Sequence, residues 1–124
     1  MRRHFGITVG MVMGILLVAV TVVTGAEDFV KLHPQYYKIL LENEKVRVLE
    51  YRLKPGEEEG MHTHIRAGVI YFLKDATFDI ISPDGTRKTV SVKAGDASWR
   101  EPTSHAMKNS GGTVLLGVAV EVKD

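Results

Sequence analysis

The sequence contains no cysteine among its 124 residues. This absence excludes disulfide bonds, thiol nucleophiles, cysteine-ligated zinc and a lipoprotein anchor on cysteine. A metal site or covalent chemistry in this protein would therefore rely on histidine, carboxylate or hydroxyl groups. The five histidines become the residues of greatest interest.

The sequence also lacks an excess of charge of one sign. It has 16 Lys and Arg against 15 Asp and Glu, and no basic run is longer than the pair Arg2-Arg3. Proteins that bind the phosphate backbone of nucleic acids carry a basic patch, so no nucleic acid partner is expected. The length, with 44% hydrophobic and 25% charged residues, predicts one ordinary globular domain.

The first 26 residues have the layout of a signal peptide. A basic start, Met1-Arg2-Arg3-His4, precedes an uncharged, almost wholly apolar stretch from Phe5 to Val23. Thr24 and Ala26 suit the small-residue positions before a cleavage point, which predicts a signal peptide over residues 1–26 and a periplasmic or secreted mature chain. An uncleaved signal anchor is the alternative, because about 19 apolar residues can span a bilayer. Only in that case is a membrane an expected partner.

The chain from Tyr36 onward reads as strands, because apolar and polar residues alternate and β-branched and aromatic residues fall in short runs. Turn residues separate the runs, with Asp84-Gly85 as a strong hairpin signal. About seven to nine short strands predict an all-β sandwich or barrel over residues 36–124, with no helix after Ala26. Residues 27–35 are expected to form an N-terminal arm, frayed or packed on a neighbouring subunit. A homodimer is expected because the core is small.

The sharpest local feature is the tripeptide His62-Thr63-His64. On a strand, positions i and i+2 project from the same face, so both imidazoles can bind one ion. Two alternating histidines alone are equally consistent with a half-exposed polar face. A second segment, from Gly95 to Asn109, adds His105 behind a turn and a proline.

Together the two segments resemble the two motifs of the cupin superfamily. The matching residues are Pro55, Gly56, His62 and His64 for the first motif, and Gly95, Asp96, Pro102, His105 and Asn109 for the second. The resemblance covers about residues 46–122 and implies a cupin-type jelly-roll β-barrel preceded by the signal peptide helix. It further implies one divalent metal ion in the barrel mouth, bound by His62, His64 and His105. The segment 42–50 is also similar to the small single-domain cupins described as beta-alanine degradation proteins.

The chain departs from the cupin pattern at the usual glutamate. That residue should fall near Ala67 or Gly68, and no carboxylate is present there. Glu57, Glu58 and Glu59 precede the histidine pair and are expected to form a solvated acidic turn. Three neutral imidazoles leave coordination positions open. Iron and zinc are then the favoured ions, with copper, nickel and manganese as further possibilities. Introducing glutamate at position 67 or 68 is expected to create the four-ligand pattern.

Further side chains are candidates for lining a ligand pocket: Tyr71, Phe72, Trp99, Arg100 and Met107. Core packing is the alternative role for the aromatic residues and for methionine. Arg100 could anchor a substrate carboxylate, or form a surface ion pair with Glu101. Asn109 and Pro102 are expected to be structural, and His33 is expected to have no partner.

These features favour an exported small metal-binding cupin whose open coordination position takes a small organic molecule. If it is an enzyme, the site suits a metal-dependent dioxygenase or lyase. The alternative is a non-catalytic binding or structural cupin, with a structural metal or none, because the fold does not decide function. No general acid or base is evident beside the three histidines in the sequence.

The cleavage prediction is tested on protein isolated from its native host. N-terminal sequencing is expected to read from Glu27, because Thr24 and Ala26 provide the small residues that signal peptidase requires. An intact chain beginning at Met1 in the membrane fraction would show a signal anchor instead.

Overall fold

A computed structural model describes residues 26–124 of the chain. The predicted signal peptide helix falls on residues 1–25, which lie outside the described residues, and only Ala26 of that segment lies within them. None of the helices within residues 26–124 has the length and apolar character needed to cross a membrane.

The described chain begins with a short helical segment and continues as strands. Helix α1 (Phe29–Leu32) is a single turn, and a 3-10 turn follows at Pro34–Tyr36. The strands between residues 26 and 124 are β1 (Tyr37–Glu42), β2 (Val46–Leu53), β3 (Glu58–His64), β4 (Gly68–Phe72), β5 (Ala76–Ile81), β6 (Arg87–Val92), β7 (Ala97–Arg100), β8 (Thr103–Lys108) and β9 (Leu115–Val122). The expectation of no helix after Ala26 is wrong, because these two short helical turns follow it.

The strands form two antiparallel sheets. One sheet has the order β1-β2-β9-β4-β7 and the other has the order β3-β8-β5-β6. Strands from early and late in the chain are therefore neighbours in both sheets, as in a jelly roll. The prediction of an all-β jelly-roll barrel is confirmed.

The interior holds two apolar clusters. The larger cluster includes Leu53, Phe72 and Phe78, and the smaller one consists of Phe29, Leu49 and Ala119. Strand β2 shows the alternation that the sequence predicted, with Leu49 and Leu53 fully buried between less buried neighbours. The smaller cluster leaves room beside it for polar side chains.

The hairpin between β5 and β6 confirms the Asp84-Gly85 turn signal. Gly85 has a φ of +87°, a conformation that residues with a Cβ rarely adopt. The Thr86 backbone N–H donates to Asp84 Oδ1 at 2.9 Å. The turn thus fixes the register of the two strands.

The N-terminal arm packs on its own barrel. Asp28 accepts from the Val30 N–H at the start of α1 and forms two hydrogen bonds with the Arg47 guanidinium, at 2.8 and 3.0 Å. The next residue, Phe29, is buried and lies edge-on against Tyr37 with ring centroids 4.9 Å apart. The prediction of a frayed arm is therefore wrong, whereas packing on a neighbouring subunit stays a prediction. A bidentate ion pair and a buried aromatic ring hold the arm in place.

Candidate metal centre

Three imidazoles converge at one end of the barrel. His62 and His64 lie on β3, and His105 lies on the neighbouring strand β8, directly opposite His62. The Nε2 atoms of His62 and His64 are 3.0 Å apart, and those of His64 and His105 are 3.2 Å apart. Metal–nitrogen bonds of about 2.1 Å place two ligand atoms about 3.0 Å apart at right angles and about 3.4 Å apart in a tetrahedron. Two sides of the triangle therefore match ligation of one ion, and the ligand atoms of all three histidines lie within 4.8 Å of one another.

The histidines are held in the form that binds a metal. The His62 Nδ1–H donates to the Gly60 carbonyl at 2.8 Å, which leaves the Nε2 lone pair directed at the centre of the triangle. Burial lowers the pKa of His62 and of His105 to about 4 and that of His64 to about 2. All three imidazoles are therefore neutral at pH 7, as metal ligation requires.

A small cavity of about 50 Å³ adjoins the three rings. That volume accommodates an ion with a few water molecules. Within residues 26–124, no carboxylate belongs to the group formed by His62, His64 and His105. Phe29 from α1 covers one side, with its ring centroid 4.3 Å from that of His64. The three histidines thus leave ligand positions facing the cavity rather than a fourth protein ligand.

Glu59 is a functional candidate that the sequence analysis missed. Its side chain is fully buried, Tyr37 O–H donates to its Oε2 at 2.6 Å, and the same oxygen lies 3.6 Å from His62 Nδ1. Burial raises the pKa of the Glu59 carboxyl to about 7. The prediction of a solvated acidic turn is wrong for this residue, which belongs to β3 and faces the cavity.

A β-bulge explains why Glu59 shares the interior with the histidines. Glu59 pairs with Met107 and His62 pairs with His105, so three steps along β3 match two steps along β8. One extra residue reverses the alternation of faces, whereas regular spacing would turn Glu59 outward. Gly60, a glycine inside a strand, is the one sequence signal that could have indicated the bulge.

His33 lies beside the centre rather than in it. Its ring centroid is 5.7 Å from that of His62, and its buried Nε2 has no hydrogen-bond partner among residues 26–124. His33, Glu59 and His62 form a second group with ligand atoms within 4.8 Å. Glu59 approaches His62 at Nδ1, which already donates to Gly60, so this group is the weaker candidate for a metal. No pattern in the sequence indicated that His33 would lie here.

Gly68 cannot carry the missing glutamate. A Cβ at this position would lie 2.3 Å from the Val120 carbonyl oxygen and 3.1 Å from the Glu121 Cα, because β4 and β9 approach closely there. The expectation that Gly68→Glu creates a four-ligand site is therefore wrong. The close approach of the two backbones requires glycine.

A second, larger cavity of about 440 Å³ adjoins the first. Tyr51, Ile70, Arg100, His105 and Met107 line both cavities, so the metal centre lies where the two meet. Of the side chains proposed from the sequence, the larger cavity brings together Phe72, Trp99, Arg100 and Met107.

Tyr71 lies elsewhere. It is exposed on the outer face of β4, because Val69 and Tyr71 alternate with the inward-facing Ile70 and Phe72. Phe72 and Met107 line the larger cavity and also pack in the larger core cluster, so both roles expected from the sequence apply to them.

Arg100 has no carboxylate partner in the described part of the chain. Glu101 instead accepts from the Trp99 indole N–H at 2.8 Å, and none of the ion pairs within residues 26–124 contains Arg100. Its buried Nε has no partner, and its Nη2 lies 3.4 Å from the Arg66 carbonyl. The expected surface ion pair with Glu101 is absent from this structure.

The comparisons with known proteins agree with the fold. No protein-family model matches the chain. The chain is 33% identical over 86 residues to the beta-alanine degradation protein BauB of Pseudomonas aeruginosa, an alignment that covers 68% of this chain and 90% of BauB. It is similar to the crystal structure of a cupin domain from Bordetella pertussis, with 28% identity, a TM-score of 0.66 and coverage of 71% of this chain and 92% of that one.

A third relative shows the fold alone. It is an uncharacterised Klebsiella pneumoniae protein with a double-stranded β-helix domain, 23% identical, with a TM-score of 0.57 and coverage of 69% of this chain and 74% of that one. The same barrel is thus preserved where little sequence identity remains.

We expect the metal-free protein to lose stability as the pH falls from about 6.5 to about 4. In that range the unfolded chain binds protons at His62 and His105, with an ordinary pKa of 6.5, while the folded chain does not. The free energy of unfolding therefore decreases as the pH falls. His64 adds to this loss of stability, because its pKa is lowered as well. Glu59 has a raised pKa and therefore gains stability on acidification, but it is one group and the histidines are three.

The measurement is urea denaturation in the presence of a chelator at a series of pH values. Zinc-saturated protein is the control and should keep its stability to lower pH, because the ion competes with protons for the imidazoles. A metal-free protein whose stability stays constant or rises on acidification through this range would contradict the prediction.

Proposed function

This chain belongs to the cupin superfamily, and from that premise we propose that it is an exported protein that binds one divalent metal ion and presents it to a small organic molecule. The ligands are His62, His64 and His105. The observation that carries the proposal is the spacing of their Nε2 atoms, 3.0 and 3.2 Å, in the wall of a cavity. Export is supported by the signal-peptide layout of residues 1–26.

The donor set favours iron or zinc over manganese. All three ligands are neutral imidazoles, and no carboxylate in the described residues joins them. Imidazole suits iron, zinc, copper and nickel, whereas manganese prefers oxygen ligands. When bound here, iron would supply dioxygen activation and zinc would supply a Lewis acid. The open side of the triangle supports a dioxygenase or lyase role.

The chain's own residues supply what such a reaction needs besides the ion. Glu59 can hold or release a proton near neutral pH, because burial raises the pKa of its carboxyl to about 7. The Tyr37 hydroxyl orients that carboxyl by donating to Oε2. Phe29 shields the ligand His64 from solvent. No general acid or base was evident from the sequence, and we assign that role to Glu59, which lines the small cavity.

The alternative proposal is a non-catalytic cupin in which the metal braces the barrel. A structural zinc site is normally closed by four protein ligands. This centre has three in the described residues, and none of these three histidines is a member of the larger core cluster with Leu53, Phe72 and Phe78. The geometry therefore favours the open site.

We expect His105→Ala to lower metal affinity by at least about tenfold, the size of effect seen even for groups that only support a ligand. The variant should remain folded, because His105 is not part of either apolar cluster. Zinc binding is measured by titration calorimetry, metal content by elemental analysis, and folding by circular dichroism. His33→Ala is the matched control and should keep full metal content.

Three results would contradict this prediction. Unchanged metal content in His105→Ala would remove the three-histidine site. Loss of metal in His33→Ala would favour the group with Glu59. Unfolding of His105→Ala would assign the metal a structural role. Elemental analysis of protein from the native exported compartment identifies the ion.

We further propose that the protein is a homodimer through the outer face of the five-stranded sheet. One apolar row crosses all five strands in register, formed by Leu41, Val48, Val120, Val69 and Trp99. Leu41, Val69 and Trp99 are 49%, 36% and 57% exposed, so the row is open to contact. Apolar patches of this kind mark interaction sites.

The size and charge of this sheet face fit a second copy of the chain. Five strands span about 20 Å, and eight residues of β9 extend about 26 Å. Because side chains project from the sheet, the accessible area of this face exceeds its flat dimensions and approaches the ~800 Å² per partner that a stable dimer buries. Glu50 and Arg52 form an ion pair at 3.7 Å on this face, and Lys38 lies opposite Glu50, so the net charge there is small and two copies repel each other only weakly.

We expect Val69→Lys to convert the dimer to a monomer, because it places a charge at the centre of the apolar row. Light scattering after size-exclusion chromatography measures the mass of wild type and variant. Ile65→Lys, at a residue 64% exposed outside the row, is the control and should remain dimeric. A monomeric wild type, or a dimeric Val69→Lys, would show that this sheet face is not the interface.

A further inference from the structure

We propose that Arg100 binds the carboxylate of a small, mostly apolar organic acid whose body occupies the larger cavity. The proposal rests on the proposed metal site, because it names the class of molecule that the site receives. Arg100 lies on β7 and lines both cavities, as His105 does. A group bound at its guanidinium is therefore beside the metal centre.

The first argument is the unpaired charge of Arg100. Two other guanidinium groups, Arg47 and Arg66, take the carboxylates of Asp28 and Glu121. Arg47 binds both carboxylates at 2.8–2.9 Å, and Arg66 lies 3.8 Å from Glu121. Arg100 is left with a carbonyl contact at 3.4 Å and an unpartnered Nε. A partly buried cation without an anion is costly, so an anionic ligand would stabilise it.

The second argument is the missing motif glutamate. With three neutral imidazoles, a bound divalent ion keeps its full charge of two, whereas a carboxylate ligand would cancel half of it. The ion and Arg100 then create a strongly positive region at the junction of the two cavities. That field favours an anion over a neutral or cationic ligand.

The third argument is the character of the larger cavity. Its volume of about 440 Å³ falls within the usual range for small-molecule sites. Its lining is mostly apolar and includes Phe72, Phe78, Ile80, Val90, Val92 and Leu115. The carboxylate in this lining, Glu101, accepts a hydrogen bond from the Trp99 indole N–H. A ligand that satisfies Arg100 at one end must therefore present a hydrocarbon body at the other. A carboxylate matches the planar guanidinium in two parallel hydrogen bonds.

The test compares hexanoate, hexanamide and acetate as probes on zinc-loaded protein by titration calorimetry. Hexanoate should bind at least about tenfold more tightly than hexanamide, because a hydrogen bond to a charged group contributes more than a neutral one. It should also bind more tightly than acetate, which lacks the apolar body. Arg100→Gln should lose the preference for hexanoate over hexanamide while keeping its zinc content.

Two further variants locate the binding. Arg87→Gln, at an exposed arginine that lines neither cavity, is the matched control and should bind hexanoate as wild type does. Val90→Phe fills part of the larger cavity and should weaken hexanoate binding without weakening acetate binding. Equal binding of hexanoate by wild type and Arg100→Gln would overturn the proposal, since the ion alone would then hold the carboxylate. Equal binding of hexanoate and hexanamide by wild type would overturn it as well.

The same titrations on metal-free protein separate this proposal from the proposed function. A preference for hexanoate that depends on Arg100 in metal-free protein would support the carboxylate site even if metal binding fails. Full zinc binding with no such preference would overturn the carboxylate site and leave the metal site intact.

Discussion

The pairing of β3 with β8 is the constraint on which the whole site depends. His62 lies directly opposite His105, and the bulge before His62 turns Glu59 to the same interior face. A slip of one residue in this register would send both β3 histidines to the outside of the barrel. The site therefore requires the register of a whole sheet, and the apolar cluster around Leu53, Phe72 and Phe78 holds that sheet against its partner.

A second dependence runs from the N-terminal arm to the centre. Asp28 and Glu121 both bind Arg47, so one guanidinium links the arm to the last strand. Arg47 also lies over the Phe29 ring, 5.1 Å from its centroid, and Phe29 packs on His64. The charge pairs place the aromatic ring, and the ring excludes water from the histidines. The low pKa of His64, which burial produces, follows from that packing.

The sequence was informative wherever a residue acts through local spacing. Alternation predicted the strands, the Asp84-Gly85 pair predicted a hairpin, and the two motifs brought His62, His64 and His105 into one hypothesis. Features that depend on contacts between distant residues could not be read in this way. Asp28 meets Arg47 across 19 positions of sequence, and no periodic pattern marks that ion pair.

Gly68 connects the geometry of the sheet to the chemistry of the centre. The backbone of β9 approaches so closely that a side chain at position 68, one of the two positions expected for the usual carboxylate, is excluded. Within residues 26–124 the centre has neutral ligands only, and Arg100 beside it has no carboxylate partner. Glu59 does not restore the balance, because it faces Tyr37 and the Nδ1 side of His62. The contact between β4 and β9 thus excludes a carboxylate ligand from position 68, which is consistent with an open site that favours an anion.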